Sequence, residues 1–476
     1  MKNTKNKKEF LQKHFFTVLI KNISTIFLHL NNSSKESKTI IQNRENAILL
    51  SAISITIGCV FFYYLTNINT ALLGFVLIFI LPFVFNLRRF TSLLQKIHTN
   101  SIYAGALIFI PLITTMLVSH YSRNPLKGAS LLLISIPVGL ALIWTKSQKV
   151  RIGLLICTVI IQTICCYSSI TYGSASIDVF GFNQLGANYL LHGINPYTQF
   201  YPLVAFASHS YNKMYFIKGP YLYGPGVLLL SVIGRVVGDV RVTNFLVFIL
   251  IVGILLNKLR LNASLGSSRA IMLFSVSPLI TLMIINDWPG MLALGFTLLW
   301  FMTHRKHKWL GSIVLGLTFS IVPTTAALFI IMFFWLPGVR KQFYWSILIC
   351  LIICLPFALW TGIGKFLFDI VGIHVFSNHY VSTILSSVNI NTILYFLHIK
   401  LLSGKIWLLL AMGCGSLLVM RRPTTNAELF RASALLSLLF LLFSPIAEVD
   451  YFFIPFGLFL FSLVFPEGIT SSDRII

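Results

Sequence analysis

The segment Tyr172–Gly226 organises the rest of this 476-residue chain, and it reads YGSASIDVFGFNQLGANYLLHGINPYTQFYPLVAFASHSYNKMYFIKGPYLYGPG. It is the longest stretch after the N-terminal tail that is not plainly apolar enough to span a membrane. It contains Asp178, which is the only carboxylate between Glu45 and Asp239. Because ionisable residues are rare in apolar membrane chains, a lone acid in a polar, aromatic-rich loop is the first place to expect chemistry.

The composition on either side of this loop predicts a membrane protein. Hydrophobic residues make up 57% of the chain and charged residues only 10%, whereas soluble domains carry about 25% charged residues. The mean hydropathy is +0.85. Runs of about 20 apolar residues recur, and each is long enough to cross a hydrocarbon core of ~30 Å. We therefore expect an all-α, polytopic transmembrane helical bundle of roughly 13–15 membrane segments with an amphipathic extracytoplasmic loop.

The net charge of +24 comes from cations in short loops and in one tail. This distribution is typical of the positive-inside rule, so we expect a lipid bilayer rather than nucleic acid as the partner. The seven cysteines lie in apolar runs without a CxxC pair. They are interpreted as small core residues rather than disulfides or metal ligands.

Alternating apolar and basic segments predict the division of the chain. Five spans are expected near 47–66, 70–87, 101–120, 128–145 and 150–171, with basic loops at 88–96 and 146–151. If the N-terminal tail is cytoplasmic, this order makes the loop with Asp178 extracytoplasmic. The predicted units are a cytoplasmic basic tail (1–45), accessory transmembrane helices (46–149), a core with the loop 172–221 (150–340), C-terminal transmembrane helices with an outer loop 361–404 (341–466), and a tail (467–476).

The loop itself has a helical pattern followed by many aromatic residues. Apolar residues from Val179 to Leu190 recur at near-helical spacing, which predicts an amphipathic helix along the outer membrane surface. Gly193 and Pro196 end this helix, since proline cannot continue it. The aromatic residues that follow are explained either by an interfacial aromatic belt or by a platform for sugar rings or a lipid headgroup.

The topology after the loop contains a conflict. Helices are predicted near 224–238, 242–257, 270–286 and 288–303, and Asp239 and Arg241 are predicted to pair in the turn between the first two. If all four helices cross, Asp287 lies inside, yet Lys258 and Arg269 then lie outside. The charge bias favours Asp287 outside. One short segment must then be re-entrant or cross only half of the membrane.

Several motifs together resemble those of a known enzyme superfamily. They are Asp178 just outside a span, the segment Asn188–Tyr197 (NYLLHGINPY), Tyr223–Gly226 (YGPG), Asp287–Gly290 (DWPG) and Ser444–Tyr451 (SPIAEVDY). Over about 150–465 the chain resembles the GT-C superfamily of polyprenyl-phosphate-sugar-dependent membrane glycosyltransferases, and mannosyltransferase-like and arabinosyltransferase-like bacterial members most of all. One departure is Ser320-Ile-Val-Pro323, where many members carry a lysine before the proline that is thought to meet the donor phosphate.

The resemblance implies a reaction and a set of site residues. A sugar would pass from a polyprenyl-phosphate donor to a hydroxyl of a glycan, lipid or protein acceptor, with Asp178 as the catalytic general base. Lys213 and Lys218 would neutralise the leaving phosphate. The resemblance implies no definite cofactor, and a divalent metal ion held partly by Asp178 is an open alternative. The other expected substrate-binding residues are Asp287, Tyr189, Asn195, Tyr197, Tyr223, His379, Glu448 and Asp450.

Other interpretations remain open at this point. Asp178 precedes the amphipathic helix and is a favoured residue for an N-cap. Asp287 would likewise cap a helix that begins at Trp288. A non-enzymatic transporter or flippase of lipid-linked material, or an assembly subunit, is the alternative to an enzyme. The expected location is a bacterial inner membrane.

Overall fold

The computed structural model of this protein is helical throughout the residues that it describes. These are 38–64, 73–86, 99–121, 125–172, 178–199, 201, 221–261, 264–304, 306–321, 339–372, 394, 423, 425–443 and 449–465. Within these ranges no strand element occurs. The predicted all-α class is therefore confirmed for this part of the chain.

The first half of the chain forms the helices that precede and follow the loop. Their bounds are α1 Lys38–Tyr64, a π-helical turn Val76–Ile80 that leads into α2 Leu81–Phe85, α3 Thr99–Tyr121, α4 Pro125–Trp144, α5 Gln148–Tyr172, α6 Asp178–Leu191 and a 3-10 turn Pro196–Thr198. Helix α1 begins at Lys38, inside the predicted tail, and Glu45 on α1 is paired with Arg269. The predicted amphipathic segment is α6, and it ends before Gly193, whose φ is 70°.

The second half contributes the remaining helices. They are α7 Pro225–Val237, α8 Arg241–Leu261, α9 Leu265–Val276, α10 Pro278–Ile285, α11 Gly290–Thr303, α12 Lys308–Ile321, α13 Arg340–Thr361, α14 Ile363–Leu367 with a π-helical turn Phe368–Gly372, α15 Asn426–Phe443, a 3-10 turn Val449–Phe452 and α16 Phe453–Val464. The segment predicted as one helix at 270–286 is broken, and α9 and α10 are bent by 42°. Ser277 caps α10 and Pro278 occupies its first turn, which explains the break.

Three of the described helices are long and apolar enough to cross a bilayer. They are Gln148–Ser168, Arg241–Leu261 and Arg340–Thr361, and the bent pair α9–α10 is a fourth if it forms one span. Other described helices are apolar but shorter, including α7, α11, α12 and α16. These apolar helices indicate an integral membrane protein in a lipid bilayer.

Hydrogen bonds between helices define two opposite ends of the bundle. At one end, Gln148 at the start of α5 donates to the carbonyl of Arg260 at the end of α8 (2.9 Å). At the other, Arg241 at the start of α8 donates to the carbonyl of Ile170 near the end of α5 (2.9 Å). Helices α5 and α8 are therefore antiparallel neighbours. We call the first the basic end and the second the α6 end.

The basic end is named for its cations. Arg269 pairs with Glu45 at 2.8 Å, and Arg44 with Glu428 at 3.7 Å, which joins the starts of α1, α9 and α15. Gln342 at the start of α13 donates to the carbonyl of His304 after α11. The described cations of this end are Arg44, Lys146, Lys149, Arg151, Lys258, Arg260, Arg269, Lys306, Lys308, Arg340, Lys341 and Arg431.

Helix α7 does not run from one end to the other. Before it, Tyr221 donates to Asn183 of α6 (2.7 Å), and after it, the backbone amide of Val240 donates to Gln184 of α6 (3.2 Å). Both flanks of α7 therefore contact α6. Two described features fit the short segment that the sequence-based topology requires: α7, and the bent pair α9–α10, which is either a broken span or a re-entrant loop. The predicted turn pair after α7 is observed, with Arg241 and Asp239 at 2.6 Å.

Candidate functional site

The candidate site lies at the α6 end, where α6 meets the starts of α8 and α11. Helix α6 begins at Asp178, and the side chain of Asp178 lies outside the described residues. Two residues later, the guanidinium of Arg241 lies over the ring of Phe180, 4.7 Å from its centroid. The first turn of α6, which carries the predicted catalytic acid, is therefore next to the Arg241–Asp239 pair.

Asp287 occupies the turn between α10 and α11 and is held by two amides. It is only 4% exposed. Its Oδ2 accepts from Asn183 of α6 at 2.9 Å, and its Oδ1 accepts from Asn244 of α8 at 3.0 Å. Asn183 in turn accepts from the hydroxyl of Tyr221. This network joins the loop helix α6 to the bundle through one carboxylate, so Asp287 lies at the same end as the α6 start.

The backbone of Asp287 is unusual. Its φ of 55° makes it the one non-glycine residue with positive φ in the described part of the chain. Aspartate tolerates this left-handed conformation better than most residues do. Helix α11 begins at Gly290 with Pro289 as its N-cap and no side-chain capping bond, so it starts later than the predicted Trp288. The carboxylate of Asp287 therefore does not cap α11 but accepts hydrogen bonds from α6 and α8. Its strained backbone conformation is typical of functional sites.

Burial changes the acidity of Asp287. Removal from water raises the pKa of Asp287 to about 8. The hydrogen bond from Asn183 and the charge of Arg241 oppose this rise, whereas the charge of Asp239 adds to it. Asp287 is the carboxylate without a salt bridge among those whose side chains the structure describes. Burial therefore favours the protonated form of this acid.

Some of the buried polar groups near this turn have no hydrogen-bond partner. Asn286 is fully buried, and neither its side-chain oxygen nor its nitrogen has a hydrogen-bond partner. The Oδ1 of Asn244 is also buried and unpartnered, although its nitrogen makes three contacts. A buried amide without partners costs about 1–3 kcal/mol. Since such groups are rare in native structures, their presence favours a functional rather than a purely packing role for the turn.

The aromatic residues of the loop are mostly packed together. Tyr197, Tyr201 and Tyr221 are each at most 1% exposed, and the Tyr197 and Tyr221 rings meet edge to face at 5.3 Å. Burial raises the pKa of all three phenols, so they stay neutral. These three rings form a core beneath the loop. Tyr189 and Tyr223, both predicted sugar contacts, are only half-buried at its edge.

Asn195 and Lys365 fix the turn that follows α6. Asn195 Oδ1 accepts from the amide of Tyr197 (3.0 Å), and its Nδ2 donates to Thr361 at the end of α13 (3.0 Å). Lys365 donates to the Tyr197 carbonyl at 2.8 Å and to Asp369 at 2.9 Å. Its side chain is half-exposed. Lys365 was not among the predicted site residues; its i, i+4 spacing from Asp369 is the signal that predicts the ion pair.

The remaining predicted site residues cannot be compared with the geometry above. Lys213, Lys218, His379 and Glu448 lie outside the described residues. Asp450 lies in the 3-10 turn Val449–Phe452, and its side chain is likewise outside them. In the part of the chain that the structure describes, no group of three or more His, Cys, Asp or Glu residues is arranged to hold a metal ion.

Comparison with known proteins adds no family to this description. No protein-family model, no curated protein and no solved structure matches the chain.

Proposed function

We propose that this protein is a GT-C-like glycosyltransferase of the membrane, and that it works at the α6 end. It transfers a sugar from a polyprenyl-phosphate donor to a hydroxyl of a glycan, lipid or protein acceptor. Asp178 is the general base that takes the acceptor proton while the carrier phosphate leaves from the sugar carbon. The proposal includes the full set of roughly 13–15 membrane segments and a bacterial inner membrane as the location.

One observation carries the proposal. The start of α6, with Asp178, and the buried carboxylate Asp287 lie at the same end of the bundle, joined through Asn183. The opposite end carries most of the described cations, which the positive-inside rule assigns to the cytoplasm. The α6 end is then extracytoplasmic, where the aqueous acceptor and a donor in the outer leaflet both reach the start of α6.

The substitution Asp178→Asn tests the base directly. It keeps the shape and the capping capacity of the side chain, but an amide cannot take a proton. We expect transfer from a radiolabelled polyprenyl-phosphate sugar in isolated membranes to fall by about 10²–10⁴-fold, the usual contribution of general acid–base catalysis. Asp239→Asn is the matched control, because Asp239 lies at the same end but pairs with Arg241.

The outcomes of this test are distinct. Transfer at the normal rate by the Asp178→Asn protein would remove the proposed mechanism. Normal transfer by Asp178→Asn together with loss of a monodisperse elution profile in Asp178→Ala, which removes the capping side chain, would instead assign Asp178 to the helix cap. The donor sugar is identified by extracting lipid-linked sugars from cells that lack the protein and finding which precursor accumulates.

A transporter or flippase is a second candidate, favoured by a specific observation. Secondary transporters use broken helices and ionisable residues within the bundle. Here α9 and α10 are bent by 42°, and Asp287 follows α10 directly. Transport would be supported if the reconstituted protein moves lipid-linked sugar across vesicle membranes in response to a pH gradient, and if the substitution Asp287→Asn abolishes this movement. Transfer activity without such movement would exclude it.

A further inference from the structure

Helix α7 has one face that is both exposed and entirely apolar. Leu229, Ile233, Val236 and Val237 are 39%, 52%, 70% and 70% exposed. Their spacing of four, three and one residues places them on one side of a helix. The opposite side is buried, with Leu228 and Leu230 in the two core clusters. The exposed stripe, defined by these four residues, is therefore not required for packing within the bundle.

The position of α7 is fixed at both of its ends. At its start, Gly224 and Gly226 lie so close to the Ser320 backbone of α12 that a Cβ on Gly224 would lie 2.0 Å from the Ser320 oxygen. At its end, Arg235 donates to Asn188 of α6 and Gln184 of α6 contacts the Gly238 carbonyl. Helix α7 is thus clamped between α12 and α6 with its stripe outward.

The depth of α7 follows from its neighbours. Just before α7 begins, Gly224 lies against the backbone of Ser320 in α12. Helix α12 begins at Lys308 at the basic end, so Ser320 lies about 18 Å along it at 1.5 Å per residue, whereas the 22 residues of α13 cover about 33 Å. The end of α7 is level with Ile170 and Arg241, at the limit of the α6 end. Helix α7 therefore rises from part-way into the bundle to its edge.

The surface around the stripe is also apolar. The next helix, α8, is one of the candidate spans, and its exposed residues Leu246, Ile249 and Leu250 are apolar. Exposed apolar residues on a membrane span face lipid. Helices α7 and α8 are neighbours, since the Thr243 hydroxyl of α8 donates to the carbonyl of Leu230 in α7 (2.9 Å). Exposed apolar residues on two neighbouring helices fit acyl chains rather than water.

We propose that α7 is a half-depth membrane helix whose stripe of Leu229, Ile233, Val236 and Val237 binds the acyl chains of one leaflet. The leaflet is the one at the α6 end. This inference does not depend on the proposed enzymatic reaction. It makes α7 an anchor that holds the α6 loop at the membrane surface through the contacts of Gln184 and Asn188.

Photo-crosslinking in native membranes tests this surface. A benzophenone amino acid is placed at Ile233 or Val236 of the full chain, and buried Leu228 is the matched control on the same helix. After illumination, the adducts are identified by mass spectrometry. We expect phospholipid acyl-chain adducts to dominate at both stripe positions and to fall to background at Leu228.

Two results would overturn the proposal. A crosslink from the stripe to a second copy of the chain, or to another protein, would make it a protein interface. The absence of lipid adducts at both positions, with the Leu228 control giving the expected internal crosslinks, would show that the stripe faces water. Because the Leu228 variant is sensitive to misfolding, monodisperse elution of each variant is required for a valid comparison.

Discussion

Both ends of the bundle hold ion-paired acids, but the α6 end also holds the one carboxylate without an ion pair among those whose side chains the structure describes. At the basic end, Glu45 and Glu428 both pair with arginines, Arg269 and Arg44. At the α6 end, Asp287 is more deeply buried, yet its partners are the neutral amides of Asn183 and Asn244. Ion pairs between helix starts stabilise the basic end. The α6 end keeps Asp287 without an ion pair at a strained turn, and both features are typical of functional sites.

The largest effect on stability is expected at the basic end. Arg269→Ala leaves Glu45 without its partner and Asn100 without a donor, in a site where the Arg269 side chain is only 6% exposed. Removing one partner of a buried ion pair costs about 3–5 kcal/mol. We expect this loss in denaturant unfolding in detergent. Arg269→Lys, which keeps the charge, should recover a part of it; equal losses for both would show that the charge is irrelevant.

The next effect tests the amide partners of the α6 end. Asn183→Ala removes the donor to Asp287 Oδ2 and the acceptor for Tyr221. Since this leaves buried polar groups unsatisfied, we expect a loss of about 1–3 kcal/mol. Asn188→Ala is the matched control on the same helix, because Asn188 is only half-buried. An Asn183→Ala protein as stable as the control would contradict the role given to the network.

The dependence of stability on pH sharpens the same comparison. The pKa of Asp287 is raised to about 8 in the folded protein, above about 3.9 in an unfolded chain. The folded state therefore binds the proton more tightly, and stability should fall as pH rises from about 4 to about 8. Thermal unfolding measured at pH 5 and pH 8 should show a lower melting temperature at pH 8. Asp287→Asn should remove this part of the decline.

Asp239→Asn is the control for this experiment, since Asp239 and Arg241 are the charged groups that act on Asp287. It should retain most of the decline. A wild-type protein whose stability rises between these pH values, with the rise lost in Asp287→Asn, would show that the folded state prefers the ionised carboxylate.

The smallest effect is expected for the exposed pair of the α6 end. Lys365→Met breaks the contact with Asp369, but the Lys365 side chain is 50% exposed. Exposed ion pairs contribute about 0–1 kcal/mol. The free energy of unfolding should therefore change far less than in Arg269→Ala. A loss as large as that of Arg269→Ala would mean that Lys365 fixes the Tyr197 turn more strongly than its exposure suggests.

The sequence predicted the helices better than their connections. Helix periodicity and length located α3, α5, α7 and α8 within a few residues. The break at Ser277 was missed, because a proline within an apolar run was counted as part of one span. The signal was present, since a serine before proline is a favourable N-cap and start of a new helix.

The site was predicted only in outline. Asp287 was recognised as a second acid, but its partners Asn183 and Asn244 were not, because residues far apart in sequence meet only through the packing of α6, α8 and α11. The charge bias predicts one short segment that does not cross, which stays a prediction, and the contacts of α7 with α6 make α7 a candidate for it. The aromatic residues of the loop were expected to form either an interfacial belt or a platform for sugar rings or a lipid headgroup, whereas Tyr197, Tyr201 and Tyr221 are core residues.

The central claim is that the α6 end faces the extracytoplasmic side. It is tested by labelling intact cells with a membrane-impermeant thiol reagent after substituting His192→Cys at the α6 end or Lys149→Cys at the basic end, both exposed positions. The unsubstituted chain, with its seven cysteines in apolar segments, gives the background. We expect the cysteine at 192 to be labelled in intact cells, and the cysteine at 149 to be labelled only after permeabilisation. The reverse pattern would contradict the central claim.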